Sequence, residues 1–536
     1  MTFNLADLYE AVADAAPDRE VLVCGDRRLT HRQLDDRANR LANALAARGV
    51  GPGDTVGLQM ANGTEYVEGM LAAFKLRAIP VNINYRYVER ELRYLYDDSG
   101  IVALLHGRSF GDRVGQSLDH PLRALLTVED GSDAALPGGA ESYDEVLAAA
   151  TADRPVVDGR SSDDLYLIYT GGTTGMPKGV VWRHEDIFKS AMGGGDLTQG
   201  GDYVSGPKEL AERLPENGIV ALAAPPLMHA AAHWLTFHQL FTGGAVVLMP
   251  GGRFDPAEVW DTIAREKVFN VVLVGDAMVK PLLDELERGS YNTDGLWVLA
   301  SSGAPLSQHT KDRLNELLPG RMLVDSMGSS ETGVLGAKGG QGGATFTLNE
   351  HTAVLDADHQ KVSPGDGRVG RIARRGHVPL RYHNDAEKSA ATFVEVDGDR
   401  WALTGDEATL ESDGTVKMLG RGSQCINTGG EKVYPEEVEE PIKAHPAVED
   451  ALVVGVPDER WGERVVAVVQ TSPGASLDLA TLQEHVRASV AGYKVPKDLV
   501  LVDKVVRSPA GKADYRWAKE HAAEAVKAHG VKASVR

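Results

Sequence analysis

The densest group of residues able to do chemistry is Tyr169-Thr170-Gly171-Gly172-Thr173-Thr174-Gly175-Met176-Pro177-Lys178-Gly179-Val180, directly after the apolar run 165–168. Glycines let backbone N–H groups turn inward, threonine hydroxyls donate to phosphate oxygens, and one lysine adds a point charge, so the run reads as an anion cradle. It is not a Walker A loop, because neither Gly171 nor Gly172 is followed five residues later by Gly-Lys. The simpler alternative is a turn joining a strand to a helix. Further charged residues sit in short glycine-containing segments: Glu331 in Gly328-Ser329-Ser330-Glu331-Thr332, Asp406 after Leu403-Thr404-Gly405, Arg421 after Gly420, and Lys512 after Pro509-Ala510-Gly511. Taken alone, Asp406 could close a turn and Arg421 could join a surface ion pair. The Gly328–Thr332 segment ends in Thr where a nucleophile elbow needs Gly, which argues against a serine hydrolase. His229 and His233 stand four apart, a zinc-like spacing on a helix, but no third ligand or HExxH pattern accompanies them; a packed helix lining a pocket is expected instead.

These residues need a large scaffold to bring them together. The chain has 536 residues, 43% of them hydrophobic and 25% charged, enough for at least two compact units and incompatible with whole-chain disorder. Its formal charge of −21 repels nucleic acid and anionic lipid at long range, so phosphate binding must be local. Two distant cysteines, Cys24 and Cys425, support neither a disulfide framework nor a cysteine zinc site and suit a reducing cytoplasm. The first 20 residues read as an amphipathic helix with Leu5, Leu8, Val12 and Ala15 on one face, without an export signal. The apolar stretch 219–235 is broken by Pro225, Pro226, His229 and His233, so no transmembrane span is expected.

Short β-branched runs at 221–224, 245–249, 271–274 and 297–300 alternate with helical patterns, which predicts α/β layers. Around 403–421 short strands and tight turns take over, with Asp413-Gly414 suited to a hairpin. A boundary is expected just after it. The remainder reads as a small α+β unit with helices at 435–444 and 479–491 and strands at 451–456 and 465–470. Residues 161–164 and 339–343 are expected as exposed loops.

The run 169–180 resembles the phosphate loop of the adenylate-forming superfamily, whose members include acyl-CoA synthetases, luciferases and peptide-synthetase adenylation domains. The resemblance continues in order through Pro226-Leu227-Met228-His229, Ser302-Gly303-Ala304-Pro305-Leu306, Gly328-Ser329-Ser330-Glu331-Thr332, Leu403-Thr404-Gly405-Asp406 and Gly420-Arg421. It ends with Gly429-Gly430-Glu431-Lys432-Val433-Tyr434-Pro435-Glu436-Glu437-Val438-Glu439 and Pro509-Ala510-Gly511-Lys512. It implies an α/β fold: a large N-terminal domain, 1–421, of layered α/β sheets with a small β-barrel-like part, and a small mobile α+β lid, 422–536, carrying the catalytic lysine.

The resemblance also implies a two-step reaction in which a carboxylate attacks the α-phosphorus of ATP, pyrophosphate leaves, and the acyl-adenylate passes to a thiol, usually CoA. By that resemblance Lys512 bridges the carboxylate and the α-phosphate, Glu331 holds Mg²⁺ with Thr174 and the Thr173 hydroxyl nearby, His229 stands beside the acyl carboxylate, and Lys178 serves the phosphates. Thr170, Gly171, Gly172, Thr173, Thr174 and Gly175 would line the triphosphate. Gly303, Ala304 and Pro305 would lie along adenine, Asp325 would meet its amino group, and Ser326, Met327, Gly328 and Ser330 would complete that wall. Asp406 would accept from the ribose hydroxyls, assisted by Arg421. Gly422 and Ser423 would form the hinge, and Gly429 and Gly430 the channel for the CoA arm. Met327 stands where many members carry Tyr, Ser330 where they carry Thr, Ser423 where they carry Asp or Lys, and Asn427 replaces a lysine found in some relatives.

The acyl pocket is expected among His229, Trp234, Val274, Gly275, Met278, Gly303 and Met327, with room for a bulky apolar acid. The segments 274–277 and 420–432 look most like actinobacterial ligases of steroid side-chain or other polycyclic acids. The expected function is an AMP-forming acyl-CoA synthetase using ATP, Mg²⁺ and coenzyme A on a bulky hydrophobic, polycyclic or fatty acid. The alternative is a stand-alone enzyme loading a carrier protein; a nucleotide-binding protein without chemistry is disfavoured by Lys512. A homodimer is compatible with the sequence.

Overall fold

A computed structural model describes residues 2–170, 176–196, 202–251, 254–304, 306–338, 345–428, 431–458, 462–507 and 511–533. Parallel, doubly covered strands form where the sequence has continuous apolar runs. One sheet runs in the order Arg381–Tyr382, Lys178–Arg183, Leu165–Thr170, Ile79–Asn82, Thr55–Gln59, Ile101–Gly107, Ala124–Val128 and Glu141–Ser142. A second runs Gly333–Lys338, Met322–Ser329, Val298–Ser301, Asn270–Leu273, Val220–Ala223, Ala245–Leu248, Glu20–Cys24 and Arg27–Thr30. The four strands expected from the apolar runs in this second sheet are present, each displaced by no more than one residue at either end.

Helices Leu5–Ala15, His31–Ala47, Thr64–Lys75 and Ala230–Thr242 contribute to one hydrophobic cluster that also takes Val56 and Leu58 from the first sheet and Val246 and Leu248 from the second. The first helix is started by Asn4, whose side chain accepts from Ala6 N at 2.8 Å. Leu5, Leu8 and Val12 are buried as the pattern predicts, but Ala15 is exposed and Tyr9 and Ala13 complete the face, because the helix ends at that residue.

Asp399–Leu410 and Thr415–Arg421 form the expected antiparallel hairpin; Gly414 takes φ +83°, and its N–H donates to Glu411 O at 2.9 Å. They belong to an antiparallel sheet, with Thr345–Thr347, Thr352–Leu355, Gly370–Arg375 and Phe393–Val396, that has its own apolar cluster around Leu335, Ile372 and Val416. From Ile426 onward the strands make a separate sheet, Glu431–Val433, Ile426–Thr428, Gly462–Thr471 and Val448–Asp458, with Asp498–Val502 parallel to Gly462–Thr471. Helices Pro435–Lys443 and Leu479–Arg487 pack on one face of it and Tyr515–Ala533 on the other.

Two further expectations change. The helix expected to 491 stops at Arg487, where Ala488 N and Ser489 N bond back only three residues. The segment 161–164 is not an exposed loop throughout: Asp164 is buried, accepting from Asn4 Nδ2 at 2.8 Å and pairing with Arg77 at 2.9 Å. Residues 339–343 lie outside the described residues.

Candidate active site

The phosphate-loop run does not join a strand to a helix. Leu165–Thr170 is followed by Lys178–Arg183, and the two pair antiparallel, with Thr170 opposite Lys178. Gly171, Gly172, Thr173, Thr174 and Gly175, between them, lie outside the described residues, as do Pro305, Gly429 and Gly430. The backbone of Arg421 and of Ser423 is described, but not their side chains.

Asn82, at the C-terminal end of its parallel strand, ties this hairpin to the histidine segment. Its Oδ1 accepts from Tyr169 N at 2.6 Å, while its Nδ2 donates to Tyr169 O at 2.9 Å and to Met228 O at 2.8 Å. The next residue, His229, is the N-cap of helix Ala230–Thr242. Its Nε2 is buried without a hydrogen-bond partner among the described residues, and burial, with the Lys512 and Arg86 cations, holds its pKa down to about 4. The ring is therefore neutral at pH 7. His233, one turn on, is no zinc partner: it is buried in the core, with Tyr166 Oη 3.2 Å from its Nε2, and burial lowers its pKa to about 3. Trp234 donates to the same hydroxyl at 3.3 Å.

Glu331 sits in a turn braced from several sides. Ser329 N donates to Thr332 Oγ1 at 3.1 Å, Trp182 Nε1 donates to Ser330 O at 3.0 Å, and Tyr382 Oη donates to Glu331 Oε1 at 2.8 Å. Gly328 is required here, since a Cβ would lie 2.3 Å from Gly333 O. The Lys178 ammonium stands 5.7 Å from the centre of the Tyr382 ring. Asp325 is paired with Lys311 at 2.6 Å, and Ser326 and Met327 follow it on the same strand. Asp406 lies opposite Arg421 in the hairpin register, its N–H on Thr404 Oγ1 at 3.2 Å.

Val274 joins the two halves of the site. A Cβ on Gly303, which takes φ +81°, would be 3.9 Å from Val274 Cγ1. A Cβ on Gly511 would be 3.5 Å from the same methyl and 3.0 Å from Ala277 Cβ. Gly511 thus seats the C-terminal segment against the start of helix Gly275–Arg288, and Lys512 follows at once. Lys280 Nζ donates to Glu449 O at 2.8 Å, and Gln308 N donates to Glu440 Oε1 at 2.8 Å, across the same junction. Val274 thus lies beside both Gly303 and Gly511, the residue before Lys512, whose charge also acts on His229. The Trp234 side chain is buried in the cluster of the first helices, while Met278 and Met327 are partly buried against two other clusters.

Asn82, Arg86 and Tyr382 were not among the expected residues. Polar groups at the carboxyl end of a parallel strand, here Asn82, Asn84 and Arg86 in and after Ile79–Asn82, are a legible signal for a site. Tyr382 carries none, because its partner is distant in sequence.

Family models agree with this architecture. The AMP-binding enzyme model matches residues 9–381, and the AMP-binding enzyme C-terminal domain model matches residues 437–512. The chain belongs to the AMP-binding enzyme family, and so to the adenylate-forming superfamily. It is an acid–thiol ligase. It is 49% identical over 537 residues to a 3-oxocholest-4-en-26-oate–CoA ligase of Rhodococcus rhodochrous, covering 97% of this chain and 96% of that one. It is 49% identical over 532 residues to a medium/long-chain-fatty-acid–CoA/3-oxocholest-4-en-26-oate–CoA ligase of Mycobacterium tuberculosis, again covering 97% and 96%. Among solved structures, ATP-bound MatB from Rhodopseudomonas palustris superposes with a TM-score of 0.82 at 25% identity, covering 98% of this chain and 99% of that one.

Proposed function

We propose that the chain is an AMP-forming acyl-CoA synthetase for a bulky or long apolar carboxylic acid, with a steroid side-chain acid as the favoured substrate. The observation that supports the proposal is the seating of Gly511 on Val274 and Ala277, with Lys512 the next residue and its cation among the causes, after burial, that hold the His229 pKa down. A carboxylate and a triphosphate repel each other, so adenylation needs cations where they meet. Lys512, Arg86 and Lys178 supply them. In the tautomer that carries its proton on the buried Nε2, neutral His229 would donate that N–H to the acid without adding or withdrawing a proton.

As the acid's oxygen attacks the α-phosphorus, the bond to the bridging oxygen breaks and pyrophosphate departs with the electron pair; Lys512 offsets the charge developing on phosphorus. CoA thiolate then attacks the acyl carbon and AMP leaves. Glu331 is a hard oxygen donor of the kind Mg²⁺ takes, steadied by Tyr382, and with Thr174 it would hold that ion, which neutralises charge on the phosphates. Asp406 would take the ribose hydroxyls, and Asp325, fixed by Lys311, the adenine amino group.

The chain would divide at 421/422, with Gly422 and Ser423 as hinge, so that the C-terminal unit can withdraw Lys512 and admit CoA past Gly429 and Gly430. No helix among the described residues is long and apolar enough to cross a membrane. A cytoplasmic setting suits the two free cysteines. The acid class is supported by the two relatives named above. The test is acid-dependent pyrophosphate release across medium-chain, long-chain, aromatic and polycyclic acids, with mass detection of the CoA thioester. Release with a polycyclic or long-chain acid is expected; no release with any of them would contradict the proposal.

A further inference from the structure

Lys512 needs its backbone aimed as well as its charge supplied. Gly511 takes φ +72°, a conformation that must be held in place, and its apolar side rests on Val274 and Ala277. Its carbonyl accepts from Arg507 Nη1 at 3.3 Å. The remaining faces of that guanidinium are taken by one carboxylate: Nε donates to Asp450 Oδ2 at 2.7 Å and Nη2 to Asp450 Oδ1 at 2.8 Å. Asp450 is in turn fixed on strand Val448–Asp458, where its Oδ1 also accepts from Ala451 N at 2.8 Å. Lys443 Nζ lies 4.0 Å from that same oxygen and 3.2 Å from Glu439 Oε2. Arg507 and Ala513 also pair through an antiparallel bridge that brackets the lysine segment. Both members of the ion pair are largely buried, 19% and 21% exposed, where a bidentate pair holds its geometry.

Resting on the function proposed above, we infer that Arg507, clamped by Asp450, is a positioning residue that fixes the Gly511 carbonyl and thereby aims Lys512 for adenylation. Only a planar fork can hold the carboxylate with two N–H groups and still present a third to the carbonyl; a lysine at 507 can satisfy one partner well but not both. Arg507 itself touches no reacting atom.

The two half-reactions separate this role from a purely structural one. In the full-length enzyme, Arg507→Met should lower acid-dependent ATP–pyrophosphate exchange by about 100-fold, the scale of a misplaced catalytic group. Arg507→Lys and Asp450→Asn should each lower it by about tenfold. Thioester formation from supplied acyl-adenylate and CoA should stay at the wild-type rate in all three. Equal loss in both half-reactions, or no loss in exchange, overturns the inference. Should Arg507→Met fail to fold, Arg507→Lys and Asp450→Asn decide the matter by the same ratio. A wild-type enzyme without acid-dependent exchange would instead defeat the proposed function, leaving the two failures distinguishable.

Discussion

Glu331 and Lys512, the two residues proposed to act on the triphosphate, are held in different ways. The Glu331 turn is anchored in the large unit: Thr332 is fully buried, Trp182 and Tyr382 reach it from the first sheet, and Arg374 Nη1 donates to Thr332 O at 3.1 Å. Lys512 belongs to a unit whose hydrophobic clusters contain only residues from 426 onward, among the described residues. Among the described residues, contacts that join it to the large unit include a glycine against a helix start and polar contacts at Lys280, Gln308 and Tyr434, whose hydroxyl donates to Glu407. No hydrophobic cluster among the described residues spans the two units, and a polar junction of this kind favours relative motion. Half of the site is built into the fold, and half is docked onto it.

The largest break in that contrast should come from the docked side. Lys512→Ala should lower acyl-adenylate formation by about 10³-fold, while thioester formation from supplied acyl-adenylate continues. On the built side, Tyr382→Phe removes one hydrogen bond to a carboxylate; exchange should fall about tenfold and more magnesium should be needed to saturate.

Acid should separate the two units as well. Burial holds His31 and His229 near pKa 4 and His233 near 3, against an ordinary 6.5. Below 6.5 the unfolded chain binds these protons and the folded chain does not. The stability they confer is thus complete above that pH and is lost as pH falls toward 4, at up to about 1.4 kcal/mol per pH unit and histidine. The described C-terminal region has no fully buried histidine. Urea unfolding followed by limited proteolysis should therefore show the large unit losing stability between pH 7 and 5 while the C-terminal sheet holds; a parallel loss would remove the contrast. Glu440→Ala, at the exposed rim of the junction, should change exchange by about twofold or less.

Much of this was legible in the sequence because strands and motifs are local. Apolar runs marked the second sheet, Asp413-Gly414 marked the hairpin of the antiparallel sheet, and the lysine and glutamate segments carried their own signatures. The phosphate run could not reveal that a strand follows it, since Lys178–Arg183 is extended through pairing with Leu165–Thr170 and Arg381–Tyr382. Tyr382 and Asn82 act on residues 51 and 87 positions away, a relation visible only in three dimensions.

The most direct test of the docked half is to lock it. Cysteines at Gln308 and Glu440, whose backbone N and carboxylate lie 2.8 Å apart, can be joined by a reductant-cleavable cross-linker in a Cys425→Ser background. The linked enzyme should release pyrophosphate from ATP and acid in a burst of one acyl-adenylate per site and make acyl-CoA only after reduction. Steady acyl-CoA production while linked, or no pyrophosphate burst, would contradict the assignment of this arrangement to adenylation.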